Sequence, residues 1–193
     1  MIGMNAMADF LTETQRLIIR RFEAGDGQDL YEYLSQEAVV RFEPYDVYAL
    51  PEAEAEAIRR AGDGDFWAVC LKPGGKVIGN LYLAQCEPKN IRTWELGYVF
   101  NAAYWGKGYA SEACTAIMEY AFDTLRAHRI VAMCNPKNVA SWKLLERLHF
   151  RREGHLVKNM YFKTDAQGNP IWNDTYMYAM LSVEYLLRRY HEI

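Results

Sequence analysis

Two glycines, Gly106 and Gly108, stand between a strand-like run, Glu95-Leu96-Gly97-Tyr98-Val99-Phe100-Asn101, and the start of a long helical pattern. Glycines at such a junction let several backbone N–H groups converge at the N-terminus of the helix, and converging N–H groups bind anions, phosphates above all. The same pair would also serve simply to close a tight loop. Of two rival nucleotide motifs, one fails and the other is matched weakly. A phosphate loop requires Lys-Ser or Lys-Thr directly after its second glycine, and Gly108 is followed by Tyr109-Ala110. A dinucleotide fingerprint needs three spaced glycines with an acidic residue about 20 positions on, whereas this junction holds two. The four histidines, His128, His149, His155 and His191, have neither metal-ligand spacing nor a triad partner, and no metal is expected.

The elements that must position this junction can be read from pattern. Arg16 to Phe22 is an opening strand with β-branched residues at its centre, and Asp26 to Leu34 is helical with Leu30 and Leu34 four apart. Pro51 starts a Glu- and Ala-rich helix to Arg60, which Gly62 and Gly64 end. Phe66 to Leu71 and Lys76 to Ala84 form a hairpin through Pro73-Gly74-Gly75, and Trp94 to Phe100 is the strand that runs into the glycine pair. From Gly108 to Leu125, the residues Ala113, Ile117, Tyr120, Ala121 and Leu125 form one apolar stripe. Arg129 to Cys134 is a strand, and Asn138 to Leu148 is a helix with Trp142, Leu145 and Leu148 on one face and Asn138 as its N-cap. Strands from Arg151 to Phe162 and from Thr175 to Leu181 flank the turn Asp165 to Pro170, and Val183 to Tyr190 is a short helix.

The chain has 193 residues, is 51% hydrophobic and shows no repeats or linkers, so a single domain over residues 1–193 is expected, with residues 1–13 as a flexible N-terminal extension. A formal charge of −3 lacks the basic excess that nucleic-acid binding requires. No stretch approaches the roughly 20 apolar residues of a membrane span. Residues 1–10 carry Asp9 and no basic residue, unlike a secretory signal. Cys70, Cys86, Cys114 and Cys134 form no paired motif and read as reduced core thiols of a cytoplasmic protein. Trp94, Trp105, Trp142 and Trp172 read chiefly as core or loop packing.

The run Trp105-Gly106-Lys107-Gly108-Tyr109-Ala110-Ser111-Glu112-Ala113 resembles the coenzyme-binding motif of the GNAT superfamily of N-acetyltransferases, in which Gln or Arg is followed by two residues, Gly, one residue, and Gly or Ala. Gly108 and Ala110 match, and Trp105 stands where Gln or Arg is most frequent. Thr14 to Arg20, Glu95-Leu96-Gly97-Tyr98, and Asn138-Val139-Ala140-Ser141 through Leu144 to Phe150 are similar, in order, to three further segments of the branch that acetylates ribosomal-protein N-termini. His149 replaces the Gly usual in that branch. The resemblance covers about Thr14 to Leu181 and implies an α/β fold: a twisted, mixed, mostly antiparallel sheet flanked by helices and splayed between two parallel strands, Trp94 to Phe100 and Arg129 to Cys134.

It further implies acetyl-coenzyme A as co-substrate and a primary amine, a protein N-terminus or a small molecule, as acceptor. The pyrophosphate would rest on the N–H groups of Gly106, Lys107, Gly108, Tyr109 and Ala110, with Lys107 at the rim and Trp105 beside it. The pantetheine arm would pair with backbone near Tyr98, Val99 and Phe100, and the N–H of Val99 or Phe100 would polarise the thioester carbonyl. An amine is mostly protonated at neutral pH, so attack requires a base. Glu95 is the leading candidate, with pairing to a nearby cation as its plainer role. Glu43, in Arg41-Phe42-Glu43-Pro44-Tyr45, is the alternative base, and Glu43 with Tyr45 would line the acceptor side. Ser141 would protonate the departing thiolate and Asn138 would touch the coenzyme, while both would equally serve to cap their helix. Tyr98 and Tyr104 are further donors. A homodimer through the aromatic C-terminal strands is compatible with the sequence, and so is a non-catalytic acyl-coenzyme A-binding module on the same fold.

Overall fold

The structure is a computed structural model that describes residues 12–191. Strand order by hydrogen bonding is β1 (Thr12–Glu13), β2 (Leu17–Arg20), β3 (Phe66–Leu71), β4 (Val77–Gln85), β5 (Thr93–Phe100), β6 (Arg129–Cys134), β8 (Asn173–Leu181) and β7 (Arg151–Met160). The helices are α1 (Gly27–Leu34), α2 (Glu37–Val40), α3 (Leu50–Ala61), α4 (Tyr109–Glu119), α5 (Val139–Arg147) and α6 (Ser182–His191). The expected mixed sheet is present: β5 and β6 run parallel, and their neighbours pair antiparallel. Of the expected N-terminal extension, residues 1–11 lie outside the described residues, while Thr12 and Glu13 pair with Ile19 and Ile18. The short helix α2 carries no periodicity long enough to be read from sequence.

The chain forms two compact units, and strands β4 and β5 contribute to both. One comprises the described residues up to Arg41, Asp46–Leu83 and Tyr98–Ala116. Its core follows from alternation. Leu17 and Ile19 of β2 are fully buried while Ile18 and Arg20 face outward, and β3 buries Trp67, Ala68, Val69 and Cys70 in sequence, as a central strand covered on both faces does. Leu30, Tyr33 and Leu34 of α1 and Ala53 and Ala57 of α3 are fully buried, at about 1.5–3 kcal/mol for each large aliphatic side chain removed from water. Helix α3 starts as its sequence requires, with Pro51 in the first turn and Glu52 accepting the Ala49 N–H at 2.7 Å.

The other unit comprises Phe42–Tyr45, Ala84–Gly97 and the described residues from Ile117 onward. Here the parallel ladder is three residues long, Thr93–Glu95 against Arg129–Val131, so Leu96 and Gly97 have no β6 partner. That early end of the ladder is the expected splay. Strand β6 stays paired to β8 along its whole length, Arg129 opposite Leu181 and Cys134 opposite Tyr176, and β7 lies outside β8. The helix begun by α4 ends in a π-turn, Tyr120–Thr124. Tyr120, Ala121 and Phe122 are buried there, whereas Leu125, assigned to the stripe from sequence, is half-buried.

Helix α5 ends at Leu148, and His149 takes a left-handed φ of 68°. The His149 N–H bonds the Glu146 carbonyl and the Phe150 N–H bonds the Leu145 carbonyl, both at 2.9 Å, which is the Schellman closure. The backbone turn that favours glycine is thus kept although histidine occupies the position.

Candidate functional site

In the first unit, β5 delivers the chain to Asn101, which is fully buried and fixes the turn after the strand. Its N–H bonds the Ile78 carbonyl at 2.9 Å, its Oδ1 accepts the Ala103 N–H at 3.0 Å and Gln36 Nε2 at 3.3 Å, and its Nδ2 donates to Glu32 Oε1 at 2.9 Å. Asn101 therefore caps the short turn Ala102–Tyr104 while tying it to α1. A hydrogen bond from Lys76, joined by the one from Asn101 and opposed by partial burial, holds the Glu32 carboxyl below its ordinary range.

Beyond that turn the Trp105 indole N–H donates to the Phe100 carbonyl at 2.7 Å, so the residue that replaces Gln or Arg anchors the loop to the strand end. The Lys107 ammonium donates to the Ala103 carbonyl at 2.9 Å and stands 5.4 Å from the Tyr104 ring centre. Gly106 and Gly108 have φ of 71° and 82°, conformations that side-chain-bearing residues rarely adopt. Helix α4 then begins, its first turn closed by the Glu112 N–H on the Gly108 carbonyl at 3.1 Å. Among the described residues, none accepts from the N–H groups of Gly106 to Ser111. These donors sit at the positive end of an eleven-residue helix, an arrangement of the kind that suits an anion.

The cradle is braced by residues that the sequence marks only as strand and motif members. Glu112 Oε1 accepts from the Thr14 hydroxyl at 2.5 Å and the Arg16 N–H at 2.9 Å, while its Oε2 accepts Arg16 Nε at 2.7 Å. Burial alone would raise the Glu112 carboxyl, yet these bonds hold it below the ordinary carboxylate range. Arg16 also donates to the Lys107 carbonyl at 2.9 Å and covers the Tyr109 ring at 4.5 Å. Pairs this far apart in the chain leave no local periodicity by which to find them.

In the second unit, Glu95 is half-buried, and burial raises its carboxyl above the ordinary range. Among the described residues no cation pairs with it, so the plainer role considered for Glu95 has no partner here. Cys86, half-buried nearby, is pushed up by burial and then by the Glu95 charge. Asn138 caps α5 through the Ser141 N–H at 3.2 Å, so the helix-capping role is realised for this pair. The Ser141 side chain hydrogen-bonds the Cys134 thiol, which burial pushes up to about 11. Sequence alone marks Cys134 only as a core thiol. Glu43 and Tyr45 lie half-buried in the turn that follows α2. Tyr98 is half-buried on β5, and Tyr104 packs edge-on against Tyr109 with ring centres 6.2 Å apart. All four cysteines are free thiols, three of them buried. Among the described residues no cluster of three metal-ligating side chains occurs, and no helix is long and apolar enough to cross a membrane. Trp172, at 51% exposure, and Tyr161 stack edge-on on the C-terminal hairpin, so this tryptophan packs at the surface.

The family profile described as "Acetyltransferase (GNAT) domain" matches residues 16–151. The uncharacterized N-acetyltransferase YnaD of Bacillus subtilis is 38% identical over 173 residues, covering 89% of this chain and 97% of that protein. A crystal structure of a GNAT-family acetyltransferase from Bacillus anthracis superposes with a TM-score of 0.81 at 32% identity, over 91% of this chain and all of that one. At lower identity the fold alone is shared with two further structures. Ribosomal-protein-S5-alanine acetyltransferase from Vibrio fischeri has a TM-score of 0.75 at 22% identity, over 90% of this chain and 97% of that one. Spermidine N-acetyltransferase from Vibrio cholerae, solved with CoA and spermine, has a TM-score of 0.72 at 21% identity, over 90% of this chain and 99% of that one.

Proposed function

With the chain a member of the GNAT acetyltransferase family, we propose that it transfers the acetyl group of acetyl-coenzyme A to a primary amine by direct attack in a ternary complex. The observation that carries this reading is the loop between β5 and α4: two left-handed glycines and six consecutive N–H groups without an acceptor among the described residues, at the head of a helix. Such a cradle suits a diphosphate because the donors and the helix dipole act on the same anion.

In this reading the pyrophosphate is held by Gly106, Lys107, Gly108, Tyr109 and Ala110, and the pantetheine arm runs along Tyr98 to Phe100. Strand alternation favours one of the two candidate oxyanion donors. The Asn101 N–H bonds the Ile78 carbonyl, and residues two apart on a strand face the same neighbour, so Val99 faces β4, its carbonyl oxygen 2.6 Å from where a Gly79 Cβ would stand. In this reading the Val99 N–H is directed at β4. Phe100 faces the opposite edge, as the Trp105 bond to its carbonyl also indicates, and its N–H is the donor we assign to the thioester oxygen. Glu95 takes the proton that the attacking nitrogen loses, its carboxyl raised by burial toward the pH at which a base is most effective. As the C–S bond breaks, the Ser141 hydroxyl supplies hydrogen bonding or a proton to the sulfur, with Asn138 beside it. Glu43 and Tyr45 line the acceptor side. We assign one acetyltransferase domain to the whole chain and the cytoplasm as its compartment, in keeping with four free thiols. A protein N-terminus or a polyamine-like small amine is the acceptor class, as the named activities of the two Vibrio enzymes with this fold suggest.

Calorimetric titration with acetyl-coenzyme A, followed by thiol release across a panel of peptide N-termini and polyamines, tests this directly. Saturable binding and turnover on at least one amine are expected, and Gly108→Trp abolishes binding while the far-ultraviolet circular dichroism stays unchanged. Binding without turnover on any amine would favour the non-catalytic module, and no binding would remove both readings.

A further inference from the structure

We propose that Arg16 is a positioning residue of the coenzyme loop: it aims the Gly108 N–H at the pyrophosphate and so sets a preference for acyl donors that carry one. The inference rests on the reading above and adds to it a residue at the far end of the chain from the loop. The peptide unit between Lys107 and Gly108 ends on a glycine at positive φ, with a second such glycine, Gly106, one residue before it, so side-chain sterics do little to fix its orientation. Something must therefore hold its orientation. In a trans peptide the C=O and the following N–H point in opposite directions. The Arg16 guanidinium donates to the Lys107 carbonyl at 2.9 Å, which turns the Gly108 N–H away from the guanidinium and leaves it free among the described residues.

The guanidinium is itself fixed from three sides. Its Nε and second terminal nitrogen reach the Glu112 carboxylate at 2.7 and 2.6 Å, its plane covers the Tyr109 ring at 4.5 Å, and a Cβ on Gly108 would lie 3.2 Å from it. Glu112 closes the ring, since its own N–H bonds the Gly108 carbonyl and its Oε1 holds Thr14 and the Arg16 backbone. The positive charge is thus already paired, and its contribution is direction. The rigid fork sends Nε and one terminal nitrogen to Glu112 and the other terminal nitrogen to the Lys107 carbonyl, three fixed directions that the single ammonium of a lysine does not reproduce.

The test compares wild type, Arg16→Gln and Arg16→Lys with two donors that share the reacting thioester, acetyl-coenzyme A and acetyl-pantetheine, the second lacking the pyrophosphate. Thiol release with the best amine of the panel gives kcat/KM for each donor, and calorimetry gives the Kd for coenzyme A. In Arg16→Gln the Kd rises and kcat/KM for acetyl-coenzyme A falls about tenfold, the size of one charge-assisted hydrogen bond, while acetyl-pantetheine changes less than about twofold. Arg16→Lys, which keeps the charge and most of the packing, moves the same ratio in the same direction and is decisive if the glutamine variant fails to fold. An equal loss on both donors, the mark of a merely structural role, overturns the proposal, as does an unchanged Kd. Wild-type protein that binds no coenzyme A overturns the parent reading, whereas binding with an unchanged donor ratio removes only the role of Arg16.

Discussion

Gly79→Ala should damage the strand assigned to the pantetheine arm from a position outside the loop. A Cβ at Gly79 would lie 2.6 Å from both the Val99 carbonyl oxygen and Phe100 Cδ1, against about 3.4 Å for ordinary contact, so β4 and β5 must separate locally by roughly 3.4 minus 2.6, or about 0.8 Å. The ring can swing by part of that distance, but the carbonyl is backbone, braced one residue on by the 2.9 Å bond between Asn101 and Ile78. Overpacking of this kind costs about 3 kcal/mol at the upper end, offset by about 0.5–1 kcal/mol from removing a flexible glycine, for a net loss near 2 kcal/mol. At about 2–4 °C per kcal/mol for a chain of this size, Tm falls by roughly 4–8 °C. The displaced residues are those assigned to the pantetheine arm and the thioester oxygen, and a misplacement approaching 1 Å at reacting groups costs on the order of 100-fold in rate. Differential scanning fluorimetry and thiol release measure both effects, with Gly25→Ala as the control because a Cβ there meets nothing within 4 Å. A Gly79→Ala protein as stable and as active as the Gly25→Ala control would refute the close approach on which the reasoning depends.

Glu95→Gln should raise stability at neutral pH while lowering turnover. Burial lifts the Glu95 carboxyl in the folded chain, so as pH rises from the ordinary carboxylate range through the raised folded value the unfolded state ionises first and stability is lost; the glutamine variant escapes this loss, and its Tm advantage should shrink toward acid pH. The acid limb of the wild-type rate profile should lie above the ordinary carboxylate range and vanish in Glu95→Gln, and a limb left in place would assign the base elsewhere. His149→Gly should stabilise, since a left-handed side-chain-bearing residue costs about 1–2 kcal/mol and glycine returns about 0.5–1 kcal/mol of that as chain entropy. A rise in Tm of about 2–4 °C is expected by fluorimetry, and a fall would show that the His149 side chain makes contacts worth more than the strain.

The amino-acid sequence by itself determined the elements and the loop. Phe66–Leu71 and Arg129–Cys134 are strands with the bounds their β-branched and apolar runs dictate, and Asn138 caps α5 as its type and place require. Gly106 and Gly108 announced a backbone that only glycine adopts easily, and the order of four short motifs identified the family. All of this is local chemistry, carried by residues a few positions apart. What the tertiary structure decided is pairing over distance. Nothing in the run Thr14 to Arg20 says that Arg16 will hold the carbonyl of Lys107 or that Glu112 will gather Thr14 and Arg16, because those contacts exist only once β2 and the start of α4 are brought together. The burial that lifts Glu95, and its freedom from any cation among the described residues, follow likewise from its surroundings in the fold. A carboxylate's chemistry depends on how much water and charge surround it, and that environment is assembled by packing, which sequence spacing does not encode.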